Sequence, residues 1–560
     1  MNRYAILHIV DSSYCFPISS NQMVLRLRTA KGDLKEAFVI YESKYVFGET
    51  QKKQLMTKSY TSELYDYYTV TLTLTDTRLA YVFYVNDGKE NYFFSEDGIT
   101  TTYNYKLGYY NFFQYPYINN ADIMHKIEWM DRAVFYQIFV DRFYMADESK
   151  DKSYINCKWG DVPTPKTFAG GDLAGIRKKL DYIKELGANA IYLTPIFKSI
   201  SNHKYDIIDY KQVDRQFGTN EELKRLIDDI HKKGMRIVLD AVFNHCSDQM
   251  EQFVDVRKYG RKSKYYDWFI IDGDRPDEAK LNYETFATCE YMPKLNTSNP
   301  EVRNYLIDIA CYYITEYKID GWRLDVSDEI SHEFWRDFRR AVKAANEDAV
   351  IIGENWHDAY SNLRGDQYDS IMNYAFTKAC LDYFSTENLN ANELAMKLND
   401  LLMRNTDIVN DMMLNLLDSH DTHRFFSEVG ESKEKLKAAI SLLFLYPGAP
   451  CIFYGTESYT TGGYDPDCRK CMDWEKTTSD ECKDIRQLIK YLSSIRQKYD
   501  LSKCETKITA VENVFVLNKK CEEYKISLYI NNTNISSNVC GKEIKPFSYL
   551  IMENGGCYYA

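Results

Sequence analysis

The amino-acid sequence predicts an α/β protein built on a (β/α)8 TIM barrel, with an inserted lobe, an N-terminal β-sandwich domain and a C-terminal all-β domain. Three observations support this fold class. Strand-like and helix-like segments alternate from about residue 130 to about residue 500. The strand-like segments there are continuous apolar runs, as expected for strands covered on both faces. The segments before and after this region contain only short β-type runs.

Composition and charge narrow the class of protein. The chain has 560 residues, of which 45% are hydrophobic and 27% are charged, a globular balance in a chain longer than one ordinary domain. A formal net charge of −12 weighs against nucleic acid as a partner. The first residues, MNRYAILHIVDSSYCF, form too short an apolar run for a secretory signal, and no run approaches a membrane span. We therefore expect a cytoplasmic protein without a membrane partner.

The two ends of the chain are predicted to form β domains. In residues 1–122, the segments QMVLRLRTA, YYTVTLTLTD and RLAYVFYVND are rich in β-branched and aromatic residues and are separated by turn-forming residues. In residues 500–560, ITAVENVFVLNK and EYKISLYINNT have the same character. The first domain is predicted to be a sandwich and the second a smaller β domain.

The central region, residues 123–499, supplies eight strand-and-helix units. The predicted helices include 172–187, 219–234, 299–317, 331–346, 391–405, 432–445 and 481–499, and residues 246–298 are predicted to form an inserted lobe over the barrel mouth. The eight strands, of which YDSIMNYAF is the weakest, are AVFYQIFV, ANAIYLTPIF, MRIVLDAVF, IDGWRLDV, DAVIIGEN, YDSIMNYAF, DMMLNLLDS and APCIFYG.

Acidic side chains follow several of these strands at the same end. In a barrel of this kind, chemistry takes place at the C-terminal ends of the strands. Because four different strands deliver acidic residues to this end, we expect the residues to converge on one pocket. The residues are Asp240, with His245 just beyond it; Arg323 and Asp325; Glu354, followed by Trp356; and His420 with Asp421.

Several carboxylates in one pocket can either bind a metal or perform acid–base and nucleophilic chemistry. Calcium sites usually draw their ligands from one loop, whereas these acids come from separate strands and lie among an arginine and two histidines. That mixture suits a retaining glycosidase. Arg323 and Asp325 are two residues apart and share a strand face, so Arg323 is expected to keep Asp325 ionised. Apolar neighbours and nearby negative charge are expected to raise the pKa of Glu354, which suits a general acid.

These motifs resemble a known family. The segments DAVFNH, GWRLDVSDE, GENWHDA and DSHDTHR resemble, in order, the four signature regions of the α-amylase family, glycoside hydrolase family thirteen. The segment MPKLN at 292–296 is similar to the fifth region of its neopullulanase, cyclomaltodextrinase and maltogenic amylase branch, as are SNHKYD and GGYDPDCRKCMDWE. The resemblance runs from about 130 to about 497, and the N-terminal domain matches the branch's starch-binding-type module.

The resemblance implies a role for each residue of the site. Asp325 would be the nucleophile, Glu354 the general acid/base and Asp421 the third carboxylate, which binds and distorts the sugar at the cleavage point. The remaining roles are as follows: Arg323, His245 and His420 line the subsite of that sugar, Tyr205 stacks on its ring, Asp240 supports the site, and Trp356 faces the leaving group.

The implied activity is retaining hydrolysis of α-1,4 glucosidic bonds in cyclodextrins, maltooligosaccharides or pullulan, through a glycosyl-Asp325 intermediate, and cleavage of α-1,6 bonds stays an open alternative. Two alternatives stay open: a transglycosylase or α-glucosidase of the same family, and a non-catalytic glucan-binding relative. The presence of all three carboxylates argues against the second. The resemblance also implies that the N-terminal domain either binds starch or mediates a homodimer.

The sequence departs from the branch beside the expected nucleophile and at the end of the fourth region. The branch usually has Val-Ala-Asn-Glu after the nucleophile, whereas this chain has Val326, Ser327, Asp328 and Glu329. Asp328 would add a negative charge on the acceptor side, where it would bear on substrate binding. His423 stands where proline is common.

A further departure concerns calcium. The resemblance implies a calcium site, because many relatives hold Ca²⁺ between a loop matching DRFYMADESKD and a GGD segment. In this chain Asp147, Asp151 and Asp172 remain as weak candidates for metal ligands. Met145 and Lys150 stand where asparagine is usual. A methionine offers no hard oxygen, and a lysine ammonium can replace the charge of a cation. We therefore expect no tightly bound Ca²⁺ and no cofactor.

Overall fold

The computed structural model describes residues 1–558 of the chain, and backbone contacts divide them into two compact units. The first unit holds Met1–Lys126, Asn388–Asn410 and Glu505–Tyr558. The second holds Ile127–Glu387 and Asp411–Cys504. The predicted domain bounds at 122 and 499 remain predictions, and this division differs from them in placing 388–410 with the β domains.

Eight parallel strands form the barrel in the second unit, which confirms the predicted fold class. Their order around the barrel is β6-β5-β4-β3-β2-β1-β8-β7, and a single bridge between Met372 and Leu414 links the end of β6 to β7, so the barrel is nearly closed. The strands are β1 (Phe135–Ile138), β2 (Ala190–Leu193), β3 (Arg236–Ala241), β4 (Gly321–Leu324), β5 (Val350–Gly353), β6 (Ser370–Ile371), β7 (Leu414–Leu416) and β8 (Ala449–Phe453).

Strand β4 places its polar and apolar residues on opposite faces. Trp322 and Leu324 are fully buried among apolar side chains, and Arg323 points the other way, toward the barrel interior where Asp325 follows. Gly321 opens the strand because β4 lies very close to β5: a Cβ atom at this position would lie 2.3 Å from the carbonyl oxygen of Val350. A larger residue there would push apart the two strands that carry the site.

Helices surround the barrel, and most lie where the sequence predicts them. The helix at Asn220–Lys232 begins with a capping box between Thr219 and Glu222. The predicted helix at 172–187 is interrupted at Lys179. The α-helices of the second unit are Leu173–Lys178, Leu180–Leu186, Asn220–Lys232, Glu251–Tyr259, Pro300–Tyr312 (followed by a π-turn at Tyr313–Tyr317), His332–Ala345, Tyr374–Phe384, Phe425–Glu428, Lys433–Leu445, Trp474–Thr478 and Lys483–Lys498; Asp407–Met412 lies at its border.

The predicted strand YDSIMNYAF is mostly wrong. Only Ser370–Ile371 pairs with β5, and a helix begins at Tyr374. The side chain of Asn373 accepts a hydrogen bond from the backbone N–H of Phe376 at 3.2 Å, so it caps that helix. This apolar run therefore contains a short strand, a helix cap and the first turn of a helix. The spacing of its apolar residues does not distinguish these three elements.

The inserted lobe follows β3. It contains the helix Glu251–Tyr259 and is otherwise held by isolated bridges, such as Phe269 with Leu295 and Ile271 with Tyr283. A bridge between His245 and Lys294 ties the end of the lobe back to the end of β3. Outside the barrel sheet, Phe197–Ser199 pairs with Ile207–Val213.

The N-terminal residues of the first unit form the predicted sandwich. Leu25 and Val70 from one sheet and Val39, Tyr81 and Phe83 from the other share a single buried core. The first sheet consists of Cys15–Ser19, Gln22–Ala30, Tyr65–Thr73 and Thr57–Thr61; the second consists of Lys52–Leu55, Glu36–Ser43, Leu79–Asn86, Asn91–Ser95 and Gly98–Thr100, with Phe113–Tyr115 on Leu79–Asn86.

The C-terminal residues form an antiparallel sheet, as predicted. The helix Ala391–Arg404 joins this sheet to the sandwich within the first unit, since the side chain of Asn399 donates to the carbonyl oxygens of both Thr61 and Ile508. No helix within residues 1–558 is long and apolar enough to cross a membrane. The strands are Glu505–Val511, Val514–Lys520, Lys525–Asn531, Ser548–Glu553 and Gly556–Tyr558, with a separate pair at Ser537–Val539 and Lys542–Ile544.

Candidate active site

One buried arginine gathers carboxylates at the C-terminal ends of four strands. Arg323 on β4 is fully buried, and its Nη1 donates to both carboxylate oxygens of Asp240 at 3.0 Å and to Oδ1 of Asp325 at 2.8 Å. Its Nη2 lies 2.9 Å from Oε2 of Glu354 and 3.9 Å from Oδ2 of Asp421. The four acidic residues therefore converge, as predicted, and the point on which they converge is the guanidinium of Arg323.

The backbone after Asp325 connects the two central carboxylates. Val326 has a φ of 45°, in the left-handed region that a β-branched residue rarely adopts. In this conformation its N–H donates to Oε2 of Glu354 at 2.8 Å, and the hydroxyl of Ser327 donates to the carbonyl oxygen of Glu354 at 2.6 Å. Within residues 1–558, no group hydrogen-bonds to Oδ2 of Asp325. One oxygen of Asp325 is thus fixed and the other is free of protein partners.

Burial dominates the electrostatics of the cluster. It raises the pKa of Asp325 well above the ordinary value, Arg323 opposes the rise, and the charges of Glu354 and Asp240 add to it. Burial also raises the pKa of Glu354, as expected, again against Arg323. The pKa of Asp240 rises to about 6 for the same reason. Arg323 lowers the pKa of Asp325, in the direction expected of an ion pair, but desolvation raises it by more, so the net shift is upward.

The histidines of the site are neutral at ordinary pH. Burial lowers the pKa of His245 to about 3, and burial with the charges of Arg469 and Arg323 holds the pKa of His420 well below its usual value. The side chain of Gln137 donates to Nδ1 of His420 at 2.7 Å, so Nε2 of His420 carries its hydrogen. These imidazoles therefore act through hydrogen bonds and not through charge.

A hydrogen-bonded chain connects Tyr205 to the cluster. Nε2 of His420 hydrogen-bonds to the hydroxyl of Tyr205, and it lies 3.1 Å from Oδ2 of Asp421. The Tyr205 hydroxyl in turn donates to Oδ2 of Asp240 at 3.1 Å. The Tyr205 ring lies parallel to the imidazole, with the centroids 5.6 Å apart, so the chain fixes the position of an aromatic face at the pocket.

The catalytic cavity has a volume of about 530 Å³, and the predicted residues fall into two groups around it. Arg323, Asp240 and His420 are at most 1% exposed and lie outside the set of residues that line this cavity, and the prediction that Arg323 and His420 line the subsite of the sugar stays a prediction. The predicted residues that line the cavity are Asp325, Glu354, Asp421, Tyr205, His245, Trp356 and Asp328.

Arg469 is a functional residue that the sequence prediction missed. Its Nη2 lies 3.3 Å from Oδ1 of Asp421, its Nη1 lies 2.9 Å from Oδ1 of Asp465, and its Nε donates to the carbonyl oxygen of His420 at 2.8 Å. It therefore positions the third carboxylate from the loop after β8. Arg469 lies in the segment GGYDPDCRKCMDWE, whose resemblance to the family points to this loop without singling out the arginine.

Aromatic residues border the cavity on two sides. Trp356 is 45% exposed and stacks flat on Tyr374, with ring centroids 3.8 Å apart and an angle of 2° between the planes. Phe286, from the inserted lobe, stacks on His245 at 4.8 Å. Phe286 and Tyr374 were not predicted. Their partners Trp356 and His245 were predicted, because both lie in the same signature segments as the carboxylates.

The loop that resembles a calcium site contains an ammonium group. Nζ of Lys150 donates to the carbonyl oxygens of Gly170 at 2.6 Å and Gln216 at 2.9 Å, and it lies 3.0 Å from Oδ2 of Asp172. Of the other weak metal candidates, Asp147 and Asp151 accept hydrogen bonds from nearby serines. Within residues 1–558, no group of three or more His, Cys, Asp or Glu side chains could hold a metal ion. With Lys150 among these oxygens, the residues do not fit Ca²⁺, because two cations would share one cage.

Known proteins similar to this chain belong to the family that the signature segments of the site resemble. Residues 137–526 match the family described as alpha amylase, catalytic domain, and residues 1–119 match alpha amylase, N-terminal ig-like domain. A cyclomaltodextrinase of Thermoanaerobacter pseudethanolicus is 42% identical over 543 residues, which cover 95% of this chain and 93% of that protein. An intracellular maltogenic amylase of Bacillus subtilis is 39% identical over 558 residues, with 97% and 93% coverage.

A solved structure named cyclomaltodextrinase is similar over the whole chain. It superposes with a TM-score of 0.91 at 37% identity, covering 100% of this chain and 98% of that one. Fold, site and relatives together define a glycoside hydrolase. The chain belongs to the α-amylase family.

Proposed function

We propose that this protein hydrolyses the α-glucosidic bonds of cyclodextrins and maltooligosaccharides with retention of configuration. The observation that carries the proposal is the bridge by Arg323, whose two terminal nitrogens contact Asp325 at 2.8 Å and Glu354 at 2.9 Å. A retaining glycosidase needs two carboxyl groups about 5–5.5 Å apart, and two groups held by one guanidinium are candidates for that pair. The relatives named cyclomaltodextrinase support the substrate class.

In the proposed first step, Glu354 gives its proton to the glycosidic oxygen while Oδ2 of Asp325 attacks the anomeric carbon. The bond to the leaving sugar breaks, and a β-linked glycosyl-Asp325 ester forms. In the second step, the Glu354 carboxylate takes a proton from water, the water oxygen attacks the anomeric carbon, and Asp325 leaves as a carboxylate. Two inversions restore the α configuration.

The assignment of Asp325 as nucleophile, in preference to Asp240, rests on their hydrogen bonds. Asp240 is 1% exposed and accepts from Arg323, Tyr192 and Tyr205, so its oxygens are occupied behind the cavity wall. Asp325 lines the cavity and has an oxygen without a protein partner within residues 1–558. Once Asp325 is ionised, its negative charge helps to hold the proton on Glu354, since like charges at short range resist a second ionisation.

The proposal is tested by product analysis with β-cyclodextrin and maltotriose. Glu354→Gln keeps the size of the side chain but removes the acid, and it should lower kcat by about 10²- to 10⁴-fold. Asp358→Asn, a nearby change outside the cavity lining, is the matched control and should leave kcat unchanged. Hydrolysis by Glu354→Gln at the control's rate, or products of β configuration, would overturn the proposal.

Transglycosylation is a second candidate activity, and one observation favours it. The flat stack of Trp356 on Tyr374 presents an exposed aromatic face beside Glu354, where a second sugar could lie and replace water as the acceptor. Asp328 lines the same cavity and adds a charge there, and the linkage formed or cleaved, α-1,4 or α-1,6, is proposed to depend on it. Chromatography of maltotriose products longer than the substrate, and assays with pullulan, measure both properties.

We also propose that the enzyme needs no Ca²⁺, that it works in the cytoplasm and that it forms a homodimer through its N-terminal domain. The first rests on the contacts of Lys150 with Gly170, Gln216 and Asp172. The second is supported by the relative named intracellular maltogenic amylase. The third rests on the resemblance alone, and light scattering of the full chain and of a variant lacking the N-terminal domain would test it.

A further inference from the structure

A second cleft, larger than the catalytic cavity, opens at the same end of the barrel. Its volume is about 1010 Å³, against about 530 Å³ for the catalytic cavity, and the two share no lining residue. Its walls come from the segments after β1, β7 and β8, which are neighbours in the barrel order. Because all three segments follow C-terminal strand ends, the cleft lies on the catalytic face.

We propose that this cleft binds a second segment of α-glucan, an inference that rests on the proposed function. Its wall carries aromatic faces held in place by their own hydrogen bonds. Trp159 is 37% exposed, and its Nε1 donates to the carbonyl oxygen of Met472 at 3.0 Å. Trp474 donates to the carbonyl oxygen of Phe143 at 2.7 Å and meets Tyr144 edge-on at 5.7 Å; Nζ of Lys179 covers one face of its ring at 3.8 Å, which leaves the other face for a ligand. Fixed aromatic faces suit the apolar face of a pyranose ring and lose little entropy on binding.

The charges of the cleft fit a neutral polyhydroxy ligand better than an ion. Acidic and basic side chains are nearly balanced along the wall, so neither an anion nor a cation would find a net opposite charge. Several are paired, as Lys433 is with Glu481 at 3.2 Å, and they remain able to bind hydroxyl groups. The charged lining residues are Glu431, Lys433, Lys470, Asp473, Glu475, Lys476 and Glu481.

One loop connects the cleft to the catalytic cavity. In the segment after β8, Arg469 contacts Asp421 in the cavity, and the next residues, from Lys470 to Lys476, line the cleft. A long glucan held in the cleft is therefore kept near the catalytic residues, which raises its effective concentration there. A short oligosaccharide that occupies only the catalytic cavity gains nothing from the cleft.

The test compares Trp159→Ala with Trp129→Ala on a short and a long substrate. Trp129 is a matched control, because it is also partly exposed and donates to a backbone carbonyl, that of Asp348, but lies before β1 at the opposite end of the barrel. The kcat and KM values are measured for maltotriose and for amylose. Loss of one ring contact should raise the KM for amylose by about fivefold to tenfold in Trp159→Ala, leave maltotriose unchanged and leave Trp129→Ala unchanged for both.

An unchanged KM for amylose in Trp159→Ala, or an equal rise for both substrates, would overturn the inference while leaving the proposed function intact. Failure of the unmodified enzyme to hydrolyse either substrate would overturn the proposed function and the cleft with it. If Trp159→Ala does not fold, Glu475→Ala on the exposed wall of the cleft takes its place, with the same expected direction for amylose.

Discussion

Removing the ammonium of Lys150 should destabilise the barrel unit strongly. The side chain is 5% exposed and lies 3.0 Å from Asp172, which is itself 1% exposed. Lys150→Met would leave the Asp172 carboxylate buried without its cation and two carbonyl oxygens without their donor. Breaking a buried pair in this way costs about 3–5 kcal/mol. For a unit of roughly 350 residues, this corresponds to a fall in Tm of about 4–7 °C.

The assay is a thermal scan of the full chain with and without EDTA. Lys152→Met is the matched control, since Lys152 is in the same loop and pairs with Glu148 at 2.8 Å on the exposed surface, where screening leaves little stabilisation. We expect no measurable change in Tm for the control, and no change for the unmodified protein on adding EDTA. The reasoning is refuted if Lys150→Met melts with the control, or if EDTA lowers the Tm of the unmodified protein and Ca²⁺ restores it.

Three further predictions concern the catalytic cavity. Attack needs the ionised form of Asp325, and burial raises the pKa of this residue. As the pH is lowered, kcat/KM should therefore begin to fall at a pH above the ordinary Asp pKa of about 3.9. A fall in kcat/KM that occurs only at or below about pH 3.9 would contradict this prediction. Trp356→Ala, which removes the exposed partner of Tyr374, should reduce the ratio of transfer to hydrolysis products from maltotriose, whereas an unchanged ratio would exclude an acceptor role. Arg469→Met should lower kcat/KM by about tenfold or more by releasing Asp421, and unchanged kinetics would show that the carboxylate does not need it.

The site was predictable to the extent that it depends on strand ends. Parallel strands of a barrel all end at one face, so Asp240, Asp325, Glu354 and Asp421 had to converge once the strands were recognised. The alternation of strand residues likewise placed Arg323 beside Asp325. The family resemblance then gave these residues roles, which the structure's contacts make testable.

The burial of individual side chains and the paths of the loops were not predictable from the sequence patterns that identify the strands. Burial sets the desolvation of Asp325, and no local sequence pattern records how deeply a residue is buried, so the upward net shift of its pKa is not predictable from the spacing of Arg323 and Asp325. Arg469 reaches Asp421 because the loop after β8 lies beside the segment that follows its neighbour β7. The short strand Ser370–Ile371 failed as a prediction because two residues give no measurable period.

The most direct measurement of the central claim is to trap the glycosyl-enzyme with a slow fluorinated glucosyl donor and to locate the label by mass spectrometry. We assign Oδ2 of Asp325, which lines the cavity, as the attacking oxygen. The peptide that contains Asp325 should therefore gain one glycosyl unit, and the same peptide of the Asp325→Asn variant should gain none. A label on any other carboxylate, or turnover of β-cyclodextrin by Asp325→Asn at the unmodified rate, would contradict the account.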